Sequence, residues 1–281
     1  MTDVVLVTGG GGAIGRAVVT ALRERDVEVV VASRAQGMTL DVADASAVRE
    51  AIARVHPQAV VHLAGALPGA DAAELERVNV DGTAAVARAA AESGIRLVSA
   101  SSAAVYGVSN ARASHEDDAL APANAYGHSK ARAEDALDTA ADGATFVSLR
   151  IFNVTGPGFP ASLPQRLWIA PAEEPVRLRG LDEFVRDYVR AVDVAAVVRA
   201  ALTAPLPAGH TRLNVGSGVP TSTRHLLDII GRRRPIHSLD EGGRSDRVWA
   251  DARRLRDVLG VVPPPLDEGW FTADGPPSVD Q

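Results

Sequence analysis

A phenol and an amine stand four residues apart in Tyr126-Gly127-His128-Ser129-Lys130. On a helix that spacing puts both side chains on one face. The pair suits reduction of a carbonyl: as hydride reaches the carbon, the oxygen needs a proton, and a tyrosine hydroxyl can deliver it. A free phenol, with a pKa of about 10, is slow to lose and regain protons at neutral pH. A neighbouring ammonium favours the phenolate and lowers that value. Lysine, a compact charge with three donors, also suits the ribose hydroxyls of a nicotinamide cofactor. The bland alternative is a surface lysine that happens to follow a tyrosine, and composition argues against it. Of 29 Lys plus Arg residues only Lys130 is a lysine, and it falls four residues after one of just three tyrosines. Arginine carries every other positive side chain, so a task that arginine cannot perform is the better explanation. Ser101-Ser102 add hydroxyls at the end of an apolar run, a weak signal alone because serines are common at strand ends.

A second chemical signal lies at Thr8-Gly9-Gly10-Gly11-Gly12-Ala13-Ile14-Gly15. It follows the apolar run Val4–Val7 and opens a stretch with Ile14, Val18, Ala21 and Leu22 on one helical face. Gly9 permits a tight turn, Gly12 lets backbone approach a pyrophosphate, and Gly15 lets helix and strand pack closely. The helix N-terminus, with Ala13 and Ile14 in its first turn, faces the negative charge. The alternative is a plain loop, but the position between strand and helix favours a dinucleotide site. At the end of the second strand an acidic residue would bind the ribose of NAD and repel the phosphate of NADP. Ser33-Arg34 stand there instead, and an arginine fork plus a hydroxyl suits a 2′-phosphate. The alternative is an ordinary solvated arginine. NADP is therefore expected ahead of NAD.

These groups need a scaffold. Strands are expected at Val4–Val7, Val27–Ala32, Ala59–Leu63, Arg96–Ala100 and Thr145–Arg150. Helices are expected over Ile14–Arg25, from an Asp44 cap to His56, over Val80–Ser93, and over Tyr126–Ala136. This alternation implies α/β, a Rossmann-type doubly wound parallel sheet with a smaller C-terminal substrate-binding lobe. Residues 1–154 form the dinucleotide-binding unit with the catalytic residues. Residues 155–271 form a mixed substrate-binding lobe, some of whose segments return to the core, and 272–281 read as a loose tail. The texture changes over Thr155–Pro175, which holds five prolines and two glycines. Helices follow at Val192–Ala204, Thr221–Arg232 and Asp251–Leu259, the last with Asp251 as its cap, and Arg212–Val215 reads as a strand.

Composition narrows the class. The chain has 281 residues, 46% of them hydrophobic, so a packed core is expected. Its net charge of −6 argues against non-specific nucleic-acid binding. With no cysteine, disulfides and thiolate metal sites are excluded. The seven histidines show no metal-ligand spacing, and no metal is expected. No apolar run reaches the length of a membrane span, and the start lacks the pattern of a signal peptide, so a cytoplasmic protein without membrane partners is expected.

The motifs together resemble the extended short-chain dehydrogenase/reductase family, in its NAD-dependent epimerase/dehydratase branch acting on nucleotide-activated sugars. Thr8–Gly15 is similar to TGxxGxxG, and Leu40-Asp41-Val42 to the adenine-contacting strand end. His62-Leu63-Ala64-Gly65 resembles HxAA, Asn79–Thr83 resembles NVxGT, and Ser101–Gly107 resembles SSxxVYG. Tyr126 and Lys130 fit YxxxK, Arg150–Pro157 fits RxFNxxGP, Arg186–Ala195 resembles RDYVHVDDVA, and Asn214–Gly218 resembles NVGSG. The resemblance makes Ser102 the catalytic serine beside Tyr126 and Lys130. It implies cofactor contacts at Asp41, Val42, Leu63, Ala64, Gly65 and Asn79. It implies substrate contacts at Ser102 and Asn153, a diphosphate contact at Arg186, and a second phosphate contact at Arg244. Dimers are frequent in the family.

Departures from the family pattern bear on the reaction. Dehydratases carry an acidic pair where this chain has Ala103 and Ala104. The link from Arg34 to Asp41 has no room for a helix, as in compact 4-ketoreductases. Ser33-Arg34 points to NADP as a released reductant. SSAAVYG is more epimerase-like, and Arg190 and Val192 replace a family histidine and aspartate. The leading expectation is a ketoreductase moving hydride from NADPH to a keto group of a nucleotide-activated (deoxy)sugar. The alternatives are an NAD-dependent nucleotide-sugar 4-epimerase, an NADPH ketoreductase of a non-sugar natural product, and a non-catalytic NAD(P) sensor.

Overall fold

The computed structural model describes residues 4–35, 37–108, 111–156, 158–171, 174–243 and 245–271. Arg244 and the expected tail lie outside the described residues. The chain runs β1 (Val4–Thr8), α1 (Ala13–Arg23), β2 (Glu28–Ser33), β3 (Met38–Thr39), α2 (Ala45–Val55) and β4 (Ala59–His62). A single turn, α3 (Ala72–Glu74), leads through a π-helical stretch, Leu75–Asp81, into α4 (Gly82–Glu92). Then come β5 (Arg96–Ser102), a 3₁₀ turn at Ala103–Tyr106, α5 (Ala125–Ala140) and β6 (Thr145–Ile151).

Seven parallel strands form the main sheet, completed by β11 (Gly209–Val215), in the order β11-β6-β5-β4-β1-β2-β3. The order reverses at β1, and ligands of such sheets bind in the crevice at the carboxyl ends there. Alternation along β1 explains the two-sided core. Leu6 joins one apolar cluster with Val60, Leu97, Ile52 and Val86, while Val5 and Val7 join another with Val61, Val98, Val147 and Val18. Helices α2, α4 and α5 pack together on the first face, and α1 packs with α7 (Ala191–Thr203) on the second. Full burial of one such side chain contributes about 1.5–3 kcal/mol.

Local signals set the boundaries. Asp44 caps α2 by accepting from Ser46 N and Ala47 N at 3.0 and 3.1 Å, and His56 ends it in the left-handed region, φ 49°. The Arg34–Asp41 link holds only the edge strand β3 among its described residues. Three expectations shift. The helix placed at Val80–Ser93 begins earlier, because the π-helical turn carries apolar Leu75, Val78 and Val80 inward out of register with a 3.6 repeat. The low-periodicity stretch after Asn153 contains a helix, α6 (Leu163–Ile169), with Pro164 tolerated in its first turn. The cap of the last long helix falls on Ala252 rather than Asp251, although Asp251 still accepts from Arg253 N at 3.0 Å.

Beyond β6, short strands build three small sheets. β7 (Asn153–Thr155) pairs with β10 (Tyr188–Arg190), and β8 (Val176–Leu178) with β13 (Ser238–Asp240). β9 (Phe184–Arg186) pairs with β12 (Thr221–Ser222) and β14 (Asp246–Val248). A separate apolar cluster, including Leu167, Leu178, Tyr188 and Leu226, joins α6 to α8 (Thr223–Gly231). The last long helix, α9 (Arg253–Leu259), returns to β11. Among the described residues no helix is long and apolar enough to cross a membrane.

Candidate active site

Tyr126 lies in the first turn of α5, which Asn124 caps by accepting from Gly127 N at 2.8 Å. Gly127 is required by contact: a Cβ there would stand 2.6 Å from the carbonyl oxygen of Ala104. This approach presses α5 onto the 3₁₀ turn after β5, and the Tyr126 hydroxyl meets the Ser102 side chain in a hydrogen bond. Ser102 Oγ also accepts from Ala104 N at 3.2 Å. One turn further along α5, Lys130 is buried and donates to the carbonyl oxygen of Ala100 at 3.0 Å. Ser102, Tyr126 and Lys130 are therefore gathered at one place.

The electrostatics correct one expectation. Burial raises the Tyr126 phenol above its ordinary value, and the Ser102 hydrogen bond opposes this. The Lys130 ammonium, 6.0 Å from the centre of the tyrosine ring, does not acidify the phenol here. Desolvation has won over the distant charge. Lys130 itself is pushed down to about 8 by burial, with Glu134 acting the other way.

The glycine loop sits at the carboxyl end of β1. Gly9 has φ +71°, and a Cβ on it would stand 2.5 Å from Ala64 N, so only glycine fits between β1 and the Leu63-Ala64 backbone. Gly12 is the N-cap of α1 and gives it no side-chain cap, so the first-turn amides at Ala13 and Ile14 remain for an outside anion. This loop therefore fits a pyrophosphate. Below it, His62 Nδ1 meets Thr8 Oγ1 at 2.7 Å and His62 Nε2 meets Thr83 Oγ1 at 3.2 Å. Burial, aided by the Lys130 charge, holds that imidazole neutral with a pKa of about 3. Ser33 ends β2, and Arg34, the next residue, is largely exposed, 4.0 Å from Glu74. Asp41 accepts from Ala43 N at 3.1 Å and from Arg77 at 2.7 Å, and these hold its carboxyl below the ordinary value. Val42 is buried beside Gly82. Asn79 is wholly buried, its amide bonded to Ala66 N, Ala66 O and Ser129 Oγ at 2.8, 3.2 and 2.9 Å. It locks α5 to the loop after β4 that carries Gly65.

Two cavities meet at this edge. The smaller, of about 270 Å³, is lined by Ser102, Ala103, Ala104, Tyr126, Phe152, Asn153 and Arg186, among others. The larger, of about 680 Å³, shares Asn153 and Arg186 and carries Arg166, Arg177, Arg179 and Glu241. Arg186 pairs with Asp246 at 2.8 Å and donates to Asp246 O and Val185 O, so the expected ligand contact also anchors β9 to β14. Sequence reasoning missed Arg166, Arg177, Arg179 and Glu241. Arg177 lies in β8 and Arg179 just past its end, two residues apart, a period-two signal that a three-residue strand is too short to reveal. It also missed Asp187, whose buried carboxylate accepts from Ser217 N, Ser217 Oγ, Gly218 N and Ala250 N and so clasps the loop after β11.

Comparison with known proteins accords with this arrangement. The chain is 28% identical over 303 residues to a UDP-glucose 4-epimerase of Rhizobium meliloti (strain 1021), covering 92% of each. It is 36% identical over 154 residues to a dTDP-4-keto-6-deoxy-D-glucose reductase of Streptomyces niveus, covering 52% of each. The solved structure of MoeE5 in complex with UDP-glucose and NAD superposes with a TM-score of 0.82 at 28% identity, covering 96% of both chains. The profile of the NAD dependent epimerase/dehydratase family matches residues 5–216, and the chain belongs to that family of extended short-chain dehydrogenase/reductase enzymes, the NAD(P)-dependent oxidoreductases and epimerases.

Proposed function

We propose that this enzyme is a ketoreductase that uses NADPH to reduce a keto group on a nucleotide-activated deoxysugar. The observation that carries the reading is the pair of cavities sharing Asn153 and Arg186. A compact pocket at Ser102 and Tyr126 suits one sugar ring, and the arginine-lined chamber beyond suits a nucleoside diphosphate. A nicotinamide cofactor, when bound, would supply the hydride. Tyr126 gives its proton to the carbonyl oxygen, and Ser102 orients that oxygen through its hydroxyl. Reduction asks the phenol to act as an acid, and the burial that raises its pKa keeps it protonated at neutral pH. Lys130 presents its ammonium to the ribose hydroxyls. The amides of Ala13 and Ile14 and the backbone of Gly9, Gly12 and Gly15 cradle the pyrophosphate. Asp41 and Val42 flank the adenine, Leu63, Ala64, Gly65 and Asn79 shape the wall beside the cofactor, and Ser33 and Arg34 take the 2′-phosphate. Arg186 reaches the substrate diphosphate and Asn153 the sugar.

A second reading, a 4-epimerase on retained NAD, is favoured by the full-length similarity to a UDP-glucose 4-epimerase. One assay separates the two. The purified protein is scanned for bound nicotinamide and then mixed with NADPH or NADH and keto-sugar nucleotides. Stoichiometric loss of NADPH supports the reductase. Tightly bound NAD with interconversion of UDP-sugars and no net consumption overturns it.

A further inference from the structure

Glu134 is buried on α5 one turn beyond Lys130, and none of the steps above uses it. It follows Lys130 by four residues on α5, so the two side chains leave one face of the helix a turn apart. Both are buried, at 2% and 7% exposure. Lys130 donates to Ala100 O, and Glu134 Oε1 accepts from Ser101 Oγ at 2.5 Å. Helix α5 is thus tied to β5 at the two residues before Ser102. On its far side Glu134 accepts from Arg150 Nε and Nη2 at 3.0 and 2.6 Å, and from Arg212 Nε at 3.3 Å. The Lys130 ammonium lies 6.0 Å from the centre of the Tyr126 ring, and its charge also bears on the neutral His62. Among the described residues, Glu134 is the carboxylate that acts on Lys130.

We propose that Glu134 is a positioning residue, holding Lys130 as an ammonium inside the protein and fixing the end of β5 that carries Ser102. The proposal rests on the reading above only in that it gives Lys130's charge a use. The physical ground is the cost of desolvation. Burial alone drives a lysine toward its neutral form, and a fixed anion on the same helix face is the opposing force. Burial also pushes Glu134 up, but the hydrogen bonds and charge of Arg150, with Ser101 and Arg212, keep it ionised below the ordinary value.

The chain's single lysine makes the test direct, because ¹³C-lysine labelling yields one ε-carbon signal. Its pH titration is followed in the wild type, Glu134→Gln, the double variant Glu134→Gln/Arg150→Met, and Ser101→Ala. The midpoint should fall by half a pH unit or more in Glu134→Gln. The double variant leaves no bare buried cation if the single one fails to fold. Arg150→Met removes a cation together with the anion, so a smaller fall in the same direction is expected there. Ser101→Ala should keep the wild-type midpoint while kcat drops several-fold. An unchanged midpoint in the folded Glu134 variant overturns the charge role, and an unchanged kcat in Ser101→Ala overturns the strand role. A midpoint that falls without moving the alkaline limb of the pH–rate profile upholds Glu134's action and instead refutes Lys130's part in the proposed reaction.

Discussion

Lys130, Glu134 and Arg150 are each buried and held at short range. Arg177 and Arg179, in the wall of the larger cavity, are about 70% exposed and share the single carboxylate of Glu241 at 3.2 Å. The first region is a floor in which each partner is needed, because an unpaired buried charge is costly. The second is a rim of long, screened side chains whose pairing contributes little to stability. The contrast teaches where this family member can vary. The buried groups proposed to move the proton are locked into the sheet and α5, while the larger cavity is lined by surface arginines that can change without disturbing the core.

Substitutions in both regions can break or sharpen that contrast. The largest effect is expected at Tyr126→Phe, which should bind cofactor normally and lose about 10²–10⁴-fold in turnover. Near-normal rates would remove the floor's chemical role. Gly9→Ala should come next. Its φ of +71° and the 2.5 Å contact with Ala64 N force the loop to move. Strain of about 1–3 kcal/mol should appear in a thermal melt, together with weaker cofactor binding.

Lys130→Met should do the opposite to stability. The folded amine sits at about 8 against the ordinary value of 10.5, so the unfolded chain binds more protons between those two pH values. Stability therefore rises with pH through that window, and below about pH 8 the buried amine carries its full cost of about 3 kcal/mol. The variant should melt several degrees higher than wild type at pH 7, be nearly inactive, and lose its advantage as pH approaches 10.5. Equal melting temperatures at pH 7 would show that the amine is not paying for function with stability.

Smaller effects belong to the rim. Arg34→Ser should lower the preference for NADPH over NADH about tenfold, measured as a ratio of kcat/KM, with an unchanged melt, since a charge-assisted bond to a phosphate contributes about 1.5–3 kcal/mol. Smallest on stability should be Arg177→Ala and Arg179→Ala, each within about 0.5 kcal/mol by denaturation. Weaker binding of nucleoside diphosphates by calorimetry would mark these two as ligand contacts. Loss of folding would end the contrast between floor and rim.

Much of this was legible in one dimension. The three-residue spacing of Gly9, Gly12 and Gly15 between an apolar run and an amphipathic helix, the four-residue spacing of Tyr126 and Lys130, and the alternation of strands and helices are local patterns. They determine the doubly wound sheet because short-range geometry leaves few alternatives. Folding alone decided what depends on burial and on residues far apart in the chain. The acidity of Tyr126 follows from its burial and from its meeting with Ser102 at the end of β5, 24 residues earlier in the chain. Glu134 meets Ser101, Arg150 and Arg212 only because β5, β6 and β11 are neighbours in the sheet. Arg177 and Glu241 face one another across 64 residues through the pairing of β8 with β13. Desolvation and long-range pairing are properties of three-dimensional packing, so no spacing in the chain announces them.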